Sequence, residues 1–301
     1  MKFFVSLVTV CGAATFAVLA FLVPQLYDFS RQTETAVVNI MSSISASFIF
    51  FVLLDIGFRL REWAEQRAFK RFFGDLSMAD SCKLVYPDFE LNEECEKLIK
   101  DVSHRYRKHS TPNTGTRFID VPQIVASNDL LGVVIVSTSL GKYLGKAPTL
   151  ITDGGAYHEI QRYNPSFISF GMTSNIVTDL YQRNDKDPLF CIKDPDTNHP
   201  RIVVKTDGEE RSFGRKDNYQ HGIILRYRPH RQEFPGQTWF ICAGIAAAGT
   251  PAAAWLLAHK WKEYHKRFQD SDFLVIFQTG NYPEASPQTK EVLAFSRPSE
   301  E

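Results

Sequence analysis

Hydrophobic positions fall along this chain in two textures. The first is continuous: Phe3–Val23 runs 21 residues without a charge and Thr35–Leu54 runs 20. At about 1.5 Å per residue, each reaches across a hydrocarbon core of roughly 30 Å. Backbone polar groups in lipid must be satisfied within their own segment, so both runs are predicted as helices. About a dozen residues join them, which predicts an antiparallel membrane hairpin over 1–58. The second run is dotted with Asn39, Ser42, Ser43, Ser45 and Ser47. Ser43 and Ser47 form a small-xxx-small face and Asn39 can hydrogen-bond across an interface. These three are the candidates for membrane association, by packing the hairpin on itself or by joining copies of the chain into a pore-like assembly.

The second texture is globular and begins near Lys83. Strands are expected at Lys83–Tyr86, Thr149–Thr152, Phe167–Phe170, Arg201–Thr206, Gly222–Tyr227, Trp239–Cys242 and Phe273–Phe277. Helices are expected at Glu93–Lys108, through Leu130–Tyr143 with Asn128 as cap, at Ser174–Arg183 and at Thr250–Phe268. Thr111–Thr116, with Pro112, Asn113 and Gly115, reads as a loop. Alternation of strand and helix predicts a cytosolic, three-layer α/β domain over 75–280. Its sheet is mostly parallel, with an antiparallel insertion around 190–228. A polar tail over 281–301 is expected to be loose. Residues 59–74 (RLREWAEQRAFKRFF and Gly74) continue at helical spacing as a basic juxtamembrane helix, its aromatics suited to a headgroup layer.

Charge orients the hairpin. Lys plus Arg and Asp plus Glu number 34 each, so no global field demands nucleic acid. Arg59, Arg61, Arg67, Lys70 and Arg71 crowd behind the second run, whereas the loop before it holds Arg31 against Asp28 and Glu34. The positive-inside bias places both termini in the cytoplasm, as a two-helix multi-pass protein of a bacterial inner membrane. The competing reading is that 1–20 is a cleaved signal, with Lys2 ahead of an apolar stretch and small residues at Ala13, Ala14 and Ala17. Five cysteines without a CxxC pair read as reduced thiols.

Two junctions offer ligand chemistry. Phe167–Phe170 runs into Gly171, Met172, Thr173, Ser174 and Asn175, and Trp239–Cys242 runs through Gly244 and Gly249 to Thr250. Glycines let backbone approach a ligand and helix N-terminal amides attract anions, so a phosphorylated small molecule fits both. Asp153, followed by two glycines, makes a third rim. Neither loop matches GxGxxG or GxxxxGK[ST], and any α/β domain needs such turns. Glu159 and Asp179 are the carboxylates weighed as a general base, and Arg226, Arg228, His230 and Arg231 as phosphate contacts or a solvated turn. No catalytic set, metal-ligand spacing or particular cofactor emerges, which leans away from an enzyme.

FISFGMTSN (Phe167–Asn175), GIILRYRP (Gly222–Pro229) and WFICAGIAAAGTPAAAWLLAHKW (Trp239–Trp261) resemble a widespread, largely uncharacterised prokaryotic α/β family. That resemblance implies a Rossmann-like fold and no particular reaction. The joining of such a domain to a two-helix hairpin also looks like the two-transmembrane effectors of bacterial anti-phage systems, including those linked to retrons. This likeness implies that the cytosolic domain answers to a signal, a regulatory protein or a nucleic-acid-containing complex. It implies too that the hairpin, acting as a homo-oligomer in the lipid bilayer, disrupts the inner membrane. The alternative is a membrane-anchored enzyme that binds a nucleotide or sugar-phosphate at the glycine turns. A non-enzymatic anchored scaffold is a third reading.

Overall fold

The computed structural model describes Gly12, Thr15, Val18, Leu19 and Leu22, and residues 31–78, 80–88, 126–163, 165–173, 175–195, 197, 199–206, 208–229, 236–284 and 286–297. The expected helix at 93–108, the loop at 111–116, Ser174, His230 and Arg231 lie outside these residues. So does nearly all of the first apolar run. The chain divides into two compact units, Met1–Arg67 and Ala68–Glu301.

In the first unit, α1 (Arg31–Phe73) is an unbroken helix of 43 residues. It is the one helix among the described residues long and apolar enough to span a membrane. A core helix of a water-soluble protein would bury its large side chains, yet Ile49, Phe50, Phe51, Leu53 and Leu54 are exposed. Met41, Ile44, Phe48, Val52 and Asp55 recur every three or four residues as a half-buried stripe. The first run approaches this stripe at Gly12, where a Cβ would lie 3.3 Å from the Phe48 ring. Asn39, Ser43 and Ser47 lie exposed on the other side of the helix. Ser43 Oγ donates to the Asn39 carbonyl at 2.9 Å and Ser47 Oγ to the Ser43 carbonyl at 2.9 Å. Such back-bonding satisfies a hydroxyl without a partner helix. Asp55 pairs with Arg59 at 2.8 Å, one turn on.

The second unit is built on a seven-stranded mixed sheet. Its strands are β1 (Lys83–Tyr86), β2 (Thr149–Thr152), β3 (Phe167–Phe170), β7 (Gln220–Tyr227), β8 (Trp239–Gly244), β9 (Asp272–Thr279) and β10 (Thr289–Arg297), in the order β10-β9-β7-β8-β3-β1-β2. β2, β1, β3 and β8 are parallel neighbours, while β7 and β10 run against their partners. The helices are α2 (Ser127–Leu144), α3 (Asp153–Tyr163), α4 (Ile176–Asn184) and α5 (Gly249–Phe268).

Alternation along each strand assigns the two faces. Ile168, Phe170, Phe240, Cys242, Phe273 and Val275 point to the face covered by α2, α5 and the last turn of α1. Phe167, Trp239 and Val85 point to the face under α3 and α4. Beside them Ile223, Leu225, Ile241, Leu274 and Ile276 pack on a three-stranded antiparallel sheet. That sheet comprises β4 (Cys191–Lys193), β5 (Arg201–Thr206) and β6 (Glu209–Phe213) and forms the first part of the insertion expected around 190–228, whose last strand, β7, joins the main sheet instead.

Four expectations change. The last turn of the juxtamembrane helix is core rather than collar, because Phe69, Phe72 and Phe73 are at most 1% exposed. The tail carries β10, whose Arg297 is anchored to Asp185 at 2.8 Å. Ala126 rather than Asn128 stands at the cap of α2. Asp153, Gly154 and Gly155, read as a rim, open a helix, Asp153–Tyr163.

Candidate functional site

After β2 the chain returns through α3 to the far side of β1, so the strand order reverses between β1 and β3. In open α/β sheets ligands bind in the crevice outside the carboxyl ends of the strands at such a point. Asp153, Gly171, Thr173 and Asn175 are all brought to this end of the sheet by the ends of β2 and β3. Asp153 is 2% exposed and its carboxylate is fully engaged. Oδ1 accepts from the Gly154 amide at 3.0 Å and the Asp88 amide at 3.3 Å, and Oδ2 from the Ile176 amide at 3.0 Å. Asn175 caps α4, accepting from Val177 N at 2.9 Å, while its Nδ2 donates to the Phe170 carbonyl at 2.7 Å. Gly171, at φ +103°, makes the sharp exit from β3 that a side chain would oppose. Thr173 is the exposed member of the set.

The amide end of α4 therefore already meets a carboxyl group, and the protein supplies it. Burial holds the Asp153 carboxyl above its usual range and the neighbouring Asp88 carboxyl adds to this, while the Ile176 and Asp88 amides pull the other way. The pair Asp88 and Asp153 at the switch point is the feature that residue spacing did not flag. Its signal was a Pro-Asp step directly after β1 (Pro87, Asp88).

The second glycine turn is closed in a different way. A Cβ on Gly244 would lie 2.2 Å from the Gly249 Cα, and one on Gly249 would lie 2.4 Å from the Gly244 Cα. The end of β8 and the start of α5 touch backbone to backbone, which demands glycine at both positions. The loop between them is tied down by Gln220, wholly buried, which accepts from the Ala246 amide at 2.9 Å and donates to the Gly280 carbonyl at 3.2 Å. Thr250, in the first turn of α5, hydrogen-bonds Asp129 from the first turn of α2. Burial raises the Asp129 pKa and the Thr250 contact lowers it in part. A second internal carboxylate thus occupies the first turn of α5. Asp129 and Gln220 come from elements remote in sequence from the turn they close, so spacing could not reveal them.

Compared with known proteins, the chain matches no family model, no curated protein and no solved structure.

The other candidates fall to structural roles. Glu159 pairs with Lys83 on β1, and Asp179 with Arg183 one turn along α4 at 2.7 Å. Arg226 and Arg228, the described members of the basic run, are engaged within the fold. Arg226 is wholly buried, its guanidinium 5.1 Å from the Phe72 ring centre and 4.9 Å from that of Phe273. It donates to the carbonyls of Ser271 and Gln269 at the end of α5, where Gln269 adopts φ +46°. A buried cation there answers the negative end of the helix dipole. Arg228 pairs with Asp272 at 3.7 Å. Burial pushes the Cys82 thiol up to about 12 and raises Cys242 further, so both behave as apolar packing. No group of three or more His, Cys, Asp or Glu among the described residues is placed to hold a metal ion.

One open depression of about 520 Å³ is lined by Tyr219, Gln278, Thr279, Gly280, Glu284, Gln288, Thr289 and Lys290. It lies where β9 ends and β10 begins, on the same carboxyl edge as the glycine turns. Its volume is in the range of small-molecule sites.

Proposed function

We propose that this protein is a membrane-embedded effector of a bacterial antiviral defence system, with an α/β domain that reads a signal and a hairpin that disrupts the inner membrane. The observation that carries the reading is the arrangement of α1. Its apolar side chains are exposed along the span, the stripe that meets Gly12 covers one side, and Asn39, Ser43 and Ser47 are left on the other. A polar row facing lipid is costly, and a second copy bearing the same row is a self-complementary cover for it. Clustering of hairpins through this row would line a path with serine and asparagine. The two helix starts at the glycine turns, those of α4 and α5, hold the protein's own carboxylates, which favours a sensing domain over a phosphate-transfer enzyme. The depression beside Tyr219 and Lys290 is the place where that domain would meet a small-molecule signal.

The test is phage plating on a host that expresses the chain at low level, with its native neighbours, beside a variant carrying Asn39→Leu, Ser43→Leu and Ser47→Leu. Reduced plating with the native chain and normal plating with the variant support the reading. Equal plating on both, and on cells without the gene, contradicts it.

A further inference from the structure

The part of α1 that follows the apolar span is organised by face. Arg59, Trp63 and Arg67 succeed one another at i, i+4 and i+8, and Leu60 lies beside the last two, since 3.6 residues complete a turn. Leu60 and Trp63 are each 60% exposed, and the Arg67 guanidinium sits over the Trp63 ring at 5.3 Å. Glu62 and Glu65 fall away from this face by the same geometry. Counting from Leu60, Trp63 lies about 4.5 Å and Arg67 about 10 Å further along the axis, at 1.5 Å per residue. At the polar interface of a bilayer tryptophan settles with its apolar body inward and its polar edge in water. An arginine held against the indole at that level is poised to meet a phosphodiester.

We propose that the Leu60–Trp63–Arg67 face binds the headgroup of an anionic phospholipid, with Trp63 in the interfacial layer and Arg67 on the phosphate. This rests on the membrane reading above and adds to it a lipid class. Arg59, tied to Asp55, completes the row at the bilayer side and pairs with the carboxylate nearest the apolar span. A zwitterionic headgroup would bring a quaternary amine to the same arginine, so the face discriminates by charge. Loss of one such arginine lowers the preference for anionic lipid about fivefold, which is about 1 kcal/mol.

The experiment reconstitutes the full chain in vesicles of phosphatidylcholine mixed with phosphatidylglycerol, brominated in one preparation on the first lipid and in the other on the second. Trp63 emission is taken as the difference between the native chain and Trp63→Phe, an exposed site that packs no core. The proposal expects quenching by brominated phosphatidylglycerol beyond its share of the mixture, and a drop in that excess of about fivefold in Arg67→Gln. Quenching in plain proportion to the lipid mixture overturns the headgroup proposal and leaves the membrane reading standing. No quenching by either lipid, with the protein still in the vesicles after a carbonate wash, also overturns it. Release of the protein by the wash overturns the membrane reading itself.

Discussion

Asp153 and Asp129 lie where a bound anion would lie in a ligand-binding α/β protein, and their burial sets a pH signature. Burial holds the Asp129 carboxyl above the ordinary value of about 3.9. The folded chain therefore keeps this proton more readily than the unfolded chain. The stability it contributes is fully present below the ordinary pKa and is lost as pH rises through the folded value. Asp129→Asn keeps an acceptor for Thr250 without a charge, so the variant should lose less stability than the native domain between about pH 4 and neutrality. Urea unfolding across that range measures the slope; an unchanged slope would remove Asp129 from the account. Gly244 supplies the steric counterpart. With a Cβ forced to 2.2 Å from the Gly249 Cα, Gly244→Ala should cost about 3 kcal/mol or more, read as a fall in Tm. A silent substitution would mean that the turn opens readily and is a binding loop after all.

At the level of elements, α1 belongs to two environments along one uninterrupted helix. Its apolar stretch lies in the unit that ends at Arg67, and its last turn lies in the α/β core. Phe72 contacts the rings of Phe73, Phe240, Trp261 and Phe273 at 4.9–6.1 Å, and stacks on the buried Arg226. Removal of one buried phenylalanine costs about 3–5 kcal/mol, against about 5–15 for a whole domain. A fragment 75–301, cut where the basic helix was expected to end, should therefore fail to fold, whereas 68–301 should melt cooperatively. Circular dichroism of the two fragments decides; equal melting would show that the last turn of α1 is dispensable.

The same elements show what spacing along a chain can and cannot reveal. β1, β2, β3 and β5 coincide with the strands expected from apolar runs bounded by turn residues, and β7, β8 and β9 differ at their ends by one or two residues. β3, β7, β8 and β9 are buried on both faces, which leaves an uninterrupted apolar signal. β10 was hidden because TKEVLAFSR forms a sheet edge, with charges that pair only in space: Arg297 with Asp185 and Glu291 with Arg267. α3 begins with Asp153, Gly154 and Gly155, a turn composition, and is held by the buried carboxylate rather than by propensity. At the candidate site, position at the carboxyl edge was legible for Asp153, Gly171 and Gly249. Their roles were not, because the partners Asp88, Asp129 and Gln220 arrive from other elements.

For the whole molecule, the proposed function makes the membrane segment the working part and the α/β domain its regulator. The domain holds its own carboxylates at the two helix starts that would greet a phosphate, and it buries Arg226 and Cys242 as structure. Along the apolar helix Asn39, Ser43 and Ser47 form an exposed row, in which the two serines are bonded back to their own helix. The most direct measurement is membrane potential after induced expression of the full chain, of residues 68–301, and of the Asn39→Leu, Ser43→Leu, Ser47→Leu variant, with the native genetic neighbours left out. The account predicts rapid depolarisation by the full chain and a steady potential with the fragment and the variant. A steady potential with the full chain abundant in the membrane fraction would contradict it, and would reduce the hairpin to an anchor.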